Sequence, residues 1–401
     1  MTFADTIKPR RFRYASQASA ILAHLRYSLQ IVAFLLGAAG LLIGGAGLWL
    51  PLVLFLAVIL IGNARIRLDL EEPQNPPHSL HDVLLRATLP LLLANGVLLA
   101  YYFTAGDPLR LVAGLKWIGV DLDAARASTS LPDKLLGIVA QGFYWGMAQT
   151  AAHELSHRLH LRVDLALSNW IAAFALDPAL RLHHPFCHHR YVGLPSDPGT
   201  ARRGESLYRF AIRSTFGNAM FAARLEAARL RRIKRSPLSP RNRFLAAWAI
   251  ALFYFGVCFA ISGWTGGLAF VGAGLIARLL FDSTAYVEHY GLFRREGDGV
   301  SDRLSWDVYA FFSNSTLYNA ARHMDHHLHP MRHCADLKLQ PDAPRLNHSY
   351  IALVMLAFIP PLYRRLMQPH LDAWDRDFAA PAERACERDH STEQLEARLA
   401  A

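Results

Sequence analysis

Nine histidines fall in four short clusters whose spacing could hold metal. His153-Glu154-Leu155-Ser156-His157 reads H-E-x-x-H, and His184, His188 and His189 give H-x-x-x-H-H. His289 stands alone in Tyr286-Val287-Glu288-His289-Tyr290-Gly291, and His323, His326 and His327 close the series in Arg322-His323-Met324-Asp325-His326-His327. Residues four apart share one face of a helix, so His153 with His157, and His184 with His188, form pairs able to share an ion. The first pair with its internal Glu is the zincin pattern, two zinc ligands and a general base. Nine imidazoles exceed what one zinc can use. Nitrogen ligands at this density suit two iron ions that keep positions open for dioxygen. Cys187, Cys258, Cys334 and Cys386 form no C-x-x-C pair, which leaves ligation to nitrogen.

The elements that must carry these clusters lie in lipid. The 401 residues are 53% hydrophobic and only 18% charged, against ~25% charged in a soluble domain. The net charge of +10 comes without the aromatic-interleaved basic motifs of nucleic-acid modules, so nucleic acid is excluded and lipid or an acidic protein is the expected partner. Apolar runs of spanning length occur at 29–47, 48–64, 83–104, 135–152, 244–263 and 268–287. They predict an all-α integral membrane protein of about six transmembrane helices, with residues 1–401 as a single embedded domain. Residues 1–28 would form an N-terminal segment and 372–401 a tail, both cytoplasmic.

The Lys/Arg distribution sets the expected topology. Arg65 and Arg67 follow the second run, Arg158 and Arg162 the fourth, and Arg229, Arg231, Arg232, Lys234, Arg235, Arg241 and Arg243 precede the fifth. The loop after the third run sets Arg110, Lys116 and Arg126 against Asp107, Asp121, Asp123 and Asp133. Every histidine cluster is therefore expected on the cytoplasmic side, where the fourth run ends at Ala152 and the sixth at Val287. The Leu207–Arg235 stretch mixes apolar and basic residues at helical spacing and is expected along the inner membrane surface or as a solvated basic connector. Gly37, Gly40, Gly44 and Gly47 predict close helix packing, and Trp49, Phe55, Tyr101 and Trp145 read as packing residues.

With these motifs in view, the chain resembles the integral-membrane alkane 1-monooxygenases, within the membrane fatty-acid desaturase and hydroxylase superfamily. The resemblance is carried by HELSHR from His153, HHPFCHHRYVGLPSDPGTARRGESLYRF from His183, YVEHYGL from Tyr286, RHMDHHLHP from Arg322, PDAPRL from Pro341 and IPPL from Ile359. Order and spacing agree over Glu71 to Leu362. It implies a non-haem di-iron centre ligated by His153, His157, His184, His188, His189, His289, His323, His326 and His327. It further implies dioxygen cleavage with hydroxylation of the terminal methyl of a hydrophobic small molecule to a primary alcohol. Electrons would come from a rubredoxin-type donor, and the protein would lie in the bacterial inner membrane. The superfamily also offers an alkyl-aromatic methyl hydroxylase or a fatty-acyl hydroxylase or desaturase, and an intramembrane zinc protease is the reading from a different class.

The chain departs from the family pattern at His183, where Glu is usual, at Arg158, where Lys is common, and at Cys187, often Gly. His183 is expected as a supporting or surface imidazole rather than a tenth ligand. Glu154, Glu288 and Asp325 are candidates to orient the ligating rings, with salt bridges to a nearby arginine as the competing role. His24, His78, His81, His160, His329, His333 and His348 are expected at the surface or an interface.

Overall fold

The computed structural model describes residues 8–65 and 68–378. The apolar runs fold as helices: α1 (Gln17–Ile43, with a 3-10 turn at Leu25–Ser28), α2 (Leu50–Arg65), α3 (His78–Tyr101), α4 (Leu131–Met147), α5 (Gln149–Ser156), α6 (Arg162–Ala172), α7 (Leu207–Arg232), α8 (Arg243–His289) and α9 (Pro360–Asp377). Of these, α1, α3 and α8 are each long and apolar enough to cross a membrane, and α2 is a shorter apolar helix. Local sequence sets the starts. Ser130 and Asp133 exchange hydrogen bonds as a capping box ahead of α4, with Pro132 where no partner is lost. Asn242 caps α8 through the Leu245 N–H at 3.0 Å.

α8 is two helices. Ser262 and Gly263 leave the helical region, Gly263 at φ +64°, a conformation that favours glycine. The Tyr254 and Phe270 rings lie 6.1 Å apart, whereas sixteen residues of straight helix would separate them by about 24 Å. Residues 243–261 and 264–289 therefore run antiparallel, as two of the expected runs require.

The returning half of α8 packs against α4 closely enough that only glycine fits between them. A Cβ on Gly142 would stand 2.6 Å from the Ile276 side chain and 2.8 Å from the Ala273 carbonyl oxygen. This contact brings the end of α5, which continues from α4, beside the end of α8. Beneath it Trp145 packs against Phe174 and Phe270 at 4.9 and 5.6 Å. The expected packing role of the α1 glycines appears at Gly40, where an added Cβ would strike the Gly47 carbonyl. α7 turns Tyr208, Ile212, Phe216 and Met220 outward along one stripe.

Residues 291–350 fold back over the helix ends. Buried Arg322 clips them down, donating to the carbonyls of Leu337 (2.8 Å), Asp69 (3.1 Å) and Glu71 (3.0 Å) and pairing with the Asp69 carboxylate at 3.3 Å. The N-terminal segment joins this layer: Arg10–Phe12 (β1) pairs in parallel with Glu71–Pro73 (β2). His24 and His81 are buried, not at the surface, because each ring satisfies the other, Nδ1 to Nε2 at 2.8 Å. Residues 372–377 are part of α9 rather than a tail. Trp374 is buried and donates to the Arg303 carbonyl at 2.9 Å, and Asp375 pairs with Arg203 at 2.6 Å. The remaining tail residues, 379–401, lie outside the described residues.

Candidate metal centre

The four histidine clusters meet where α5 and α8 end. His153 and His157 stand one turn apart at the end of α5, and His289 is the last residue of α8. The second cluster is less regular than its spacing implies. Pro185 has no N–H to give to an α-helical ladder, and His184–His188 form a π-turn closed by the His189 N–H on the His184 carbonyl. A π-turn places residues five apart on one side. His184 therefore faces His189, Nε2 to Nε2 at 3.0 Å, and His188 points elsewhere. The expected face-sharing of His184 with His188 is replaced by this pairing. In the fourth cluster His323 and His327 keep helical spacing, with Nε2 atoms 3.0 Å apart.

The nine rings sort into two groups. His153, His157, His184, His189 and His326 form one; His188, His289, His323 and His327 form the other; within each, the potential ligand atoms lie within 4.8 Å of one another. All nine are buried. Nε2 of His153, His157, His289 and His326 has no hydrogen-bond partner. Leaving a buried polar nitrogen unmade costs about 1–3 kcal/mol, and lone pairs converging on two points are what a pair of cations would collect. Nitrogens 3.0 Å apart also match neighbouring ligands on an ion with bonds of about 2.1 Å. The ring chemistry agrees. Burial pushes His153 down to about 3 and holds His157, His184, His189, His323, His326 and His327 well below the ordinary value, with neighbouring imidazoles adding to the effect. Neutral imidazole is the ligating form. The residues fit two metal ions.

Some of the orienting groups are ones the sequence did not assign to a ring. His188 Nδ1 donates to Asp197 at 2.9 Å, and Asp197 is itself held by the Thr200 hydroxyl (2.7 Å) and the Gly199 N–H (2.9 Å). His289 Nδ1 donates to the Leu304 carbonyl at 2.7 Å. The signal for Asp197 was its Asp-Pro-Gly-Thr turn, which fixes a carboxylate without saying which ring it meets. Of the three carboxylates within the clusters, Glu288 lies 3.3 Å from His323 Nε2 and accepts from Tyr350 at 2.7 Å. Glu154 and Asp325 turn to other partners because cations and N–H donors satisfy them first. Glu154 takes Arg158 and the Cys334 N–H, both at 3.2 Å, and Asp325 takes Arg332, Gln340 and the Lys338 N–H. A zincin needs its Glu free to act on metal-bound water; with Glu154 engaged and five imidazoles gathered at its site, the protease reading loses its base. His183 belongs to neither group. It is buried, with Nε2 3.0 Å from both oxygens of Asp177.

A cavity of about 60 Å³ adjoins both groups. His153, His184, His188 and His323 line one part, and Leu180, Phe281, Ala285, Leu317 and Ala320 supply apolar wall.

The fatty acid desaturase family model matches residues 133–368, a span containing all nine histidines. The chain is 34% identical to the alkane 1-monooxygenase of Acinetobacter baylyi over 253 residues, 61% of this chain and 60% of that relative. It is 33% identical to alkane 1-monooxygenase 1 of Pseudomonas aeruginosa over 316 residues, 76% of each. A longer alignment, 363 residues at 26% identity, joins it to the xylene/toluene monooxygenase hydroxylase component of Pseudomonas putida, 90% of this chain and 92% of that relative.

Proposed function

The chain belongs to the fatty acid desaturase family, with the alkane 1-monooxygenases, and on that footing we propose that it is a di-iron monooxygenase hydroxylating the terminal methyl of an alkane. The observation that carries this reading is the division of nine buried imidazoles into groups of five and four. Iron, when bound, supplies the activation of dioxygen for the overall change RCH3 + O2 + 2 electrons + 2 protons to RCH2OH + H2O. His153, His157, His184, His189 and His326 would hold one ion and His188, His289, His323 and His327 the other. Asp197 and the Leu304 carbonyl fix the rotation of His188 and His289, and Glu288 stands against the Nε2 of His323 that faces His327. The apolar wall of Leu180, Phe281 and Leu317 excludes water and orients an alkyl chain.

The surroundings are read in the same way. Residues 1–401 form one membrane-embedded domain of six spans, a reading supported by the spanning length of α1 and α3, the shorter apolar α2 and the antiparallel halves of α8. The histidine groups face the cytoplasm across the inner membrane, supported by the arginine runs, and α7 lies along that surface with its apolar stripe in lipid. A rubredoxin-type acidic protein delivers the electrons, supported by the net charge of +10 and by exposed Arg190 one residue from His189. Methyl hydroxylation of alkyl-aromatics is the second reading, favoured by the length of the xylene/toluene monooxygenase alignment.

The test is metal content of the purified protein together with product analysis under dioxygen, with reduced rubredoxin and a mixture of alkanes and alkyl-aromatics. Two irons per chain and a primary or benzylic alcohol are expected. One zinc without oxygen uptake overturns the reading.

A further inference from the structure

α7 ends and α8 begins in a corner that carries more positive charge than its own contacts neutralise. Residues 229–243 hold seven Lys or Arg, and no Asp or Glu occurs between Glu226 and Asp282. Glu226 closes the corner: it pairs with Arg229 at 2.5 Å and accepts the Arg243 N–H at 2.8 Å, while Arg229 Nη2 donates to the Arg241 carbonyl at 2.8 Å. That occupies the one carboxylate. Arg231, Arg232, Lys234, Arg235 and Arg241 are exposed, and among the described residues no hydrogen bond or ion pair holds their head groups.

These cations are presented by a built turn. The Lys234 N–H bonds the Arg231 carbonyl at 3.0 Å and the Arg235 N–H bonds the Leu230 carbonyl at 2.9 Å. This is the double closure of a helix end in which the residue after the cap is left-handed and usually glycine. Here it is Lys234, at φ +54°, so the chain accepts backbone strain and keeps a charge where glycine would fit without cost. The loop is then pinned by Asn242, whose side chain donates to the Pro237 carbonyl at 2.6 Å and whose N–H meets the Ser239 carbonyl at 2.8 Å. Helix dipoles explain only part of the charge. Cations suit the end of α7, but Arg241 stands just before the α8 cap, at a positive pole.

Cations that the fold neither pairs nor favours need an anion from outside, and the surrounding surface says which kind. Leu238 at the tip of the loop is 83% exposed and Ile233 45%. The apolar stripe of α7 leads to the corner on one side, and on the other α8 is apolar enough to cross a membrane from Arg243 onward. A soluble acidic protein would match the charge and leave these apolar side chains in water. Phospholipid matches both, with phosphate at the depth where the span ends and acyl chains beside it.

We propose that the corner from Arg231 to Arg241 binds the headgroups of anionic phospholipids and so anchors α7 on the membrane surface. This rests on the reading of α7 as lying along that surface. The anchor bears on the metal centre through Arg213 of the same helix, which donates to the carbonyls of Pro198 at 3.2 Å and Thr200 at 2.9 Å in the turn that carries Asp197.

The experiment titrates the purified full-length protein in detergent with phosphatidylglycerol and with phosphatidylcholine of the same acyl chains, reading binding from fluorescent analogues of each. The wild-type protein is expected to bind phosphatidylglycerol more tightly by about tenfold or more. Lys234→Gly should weaken that binding about fivefold, while its thermal midpoint without lipid holds or rises because glycine relieves the left-handed position. Arg231→Gln, Arg232→Gln, Arg235→Gln and Arg241→Gln together should abolish the preference. Equal binding of the two lipids by the wild-type protein, or a preference that the fourfold variant keeps, overturns the anchor. Full competition by inorganic phosphate at the same concentration overturns it too, by making the corner a plain phosphate site. So does a rubredoxin bound by the wild-type protein and lost by the fourfold variant without any lipid preference, which would assign the corner to the electron donor. Phe216→Trp tests the placement of α7 separately, as added fluorescence quenched by brominated acyl chains. Quenching in both lipids keeps α7 in the membrane even where the anchor fails; no quenching in either removes that placement and the anchor with it.

Discussion

Replacing Asp197 by Asn separates the two metal positions, because its carboxylate serves one group and not the other. Asp197 accepts the Nδ1 proton of His188 at 2.9 Å and is locked by Thr200 and Gly199. Burial alone would raise its carboxyl, but the facing His188 and these donors hold it below the ordinary value, so it stands ionised against the ring. That bond fixes the proton on Nδ1 and leaves Nε2 bare toward His289, His323 and His327. Asparagine keeps the shape and removes the charge. Losing the carboxylate partner of a ligating imidazole weakens metal binding about 10–100-fold, or about 1.4–2.7 kcal/mol. The group of His153, His157, His184, His189 and His326 has no member bonded to Asp197 among the described residues and should keep its affinity. Titration of the apo-protein with ferrous iron against a chelator, read as iron per chain, should show two sites in the wild-type protein. In Asp197→Asn one is unchanged and one is weakened by that factor. Glu154→Gln is the control, expected to leave both sites within a few-fold because its carboxylate faces Arg158 and Cys334. Equal weakening of both sites by Asp197→Asn, or none, would refute the assignment of His188 to the group of four.

His326→Ala removes a nitrogen from the group of five; iron at that position and oxygen-dependent product formation should each fall by about 100-fold or more, whereas a protease on His153 and His157 would keep most of its activity. Gly142→Ala should cost about 1–3 kcal/mol, since the new methyl meets the Ala273 carbonyl oxygen at 2.8 Å; the thermal midpoint reports it, and an unchanged midpoint with full iron loading would mean that the α4–α8 contact does not position the site. Acid should destabilise the apo-protein. The folded values of the buried imidazoles lie below the ordinary 6.5, so the unfolded chain binds protons first as pH falls; stability is intact above about 6.5 and drops below it by up to about 1.4 kcal/mol per pH unit for each such ring. Thermal midpoints that stay flat between pH 7.5 and 5.5 would show that the rings are not buried and neutral.

What the chain discloses on its own is whatever repeats with a local period. Hydropathy over windows of spanning length located the helices that carry the histidines, and the gap between the runs 244–263 and 268–287 fell just after the break at Ser262 and Gly263 that makes α8 two antiparallel helices. The i, i+4 rule brought His153 to His157, but it misjudged the second cluster, where Pro185 withdraws an N–H and a π-turn hands His184 to His189. Glu154 illustrates a competition visible but undecided in sequence, since Arg158 shares its helix face four residues on and wins the carboxylate at 3.2 Å. Asp197 and the buried His24–His81 pair were out of reach because tertiary packing, not spacing, chose their partners. The same limit explains why H-E-x-x-H supports two chemistries. Its local geometry is identical in both, and the choice is made by where further nitrogens come from: His184 and His189, beginning 27 residues after His157, and His326, 173 residues after His153. A two-ligand zinc site would have left those three rings pointing elsewhere. Their convergence on the first pair, with four more imidazoles gathered into a second group, sets a protease-like motif within one of two groups that could each hold a metal ion.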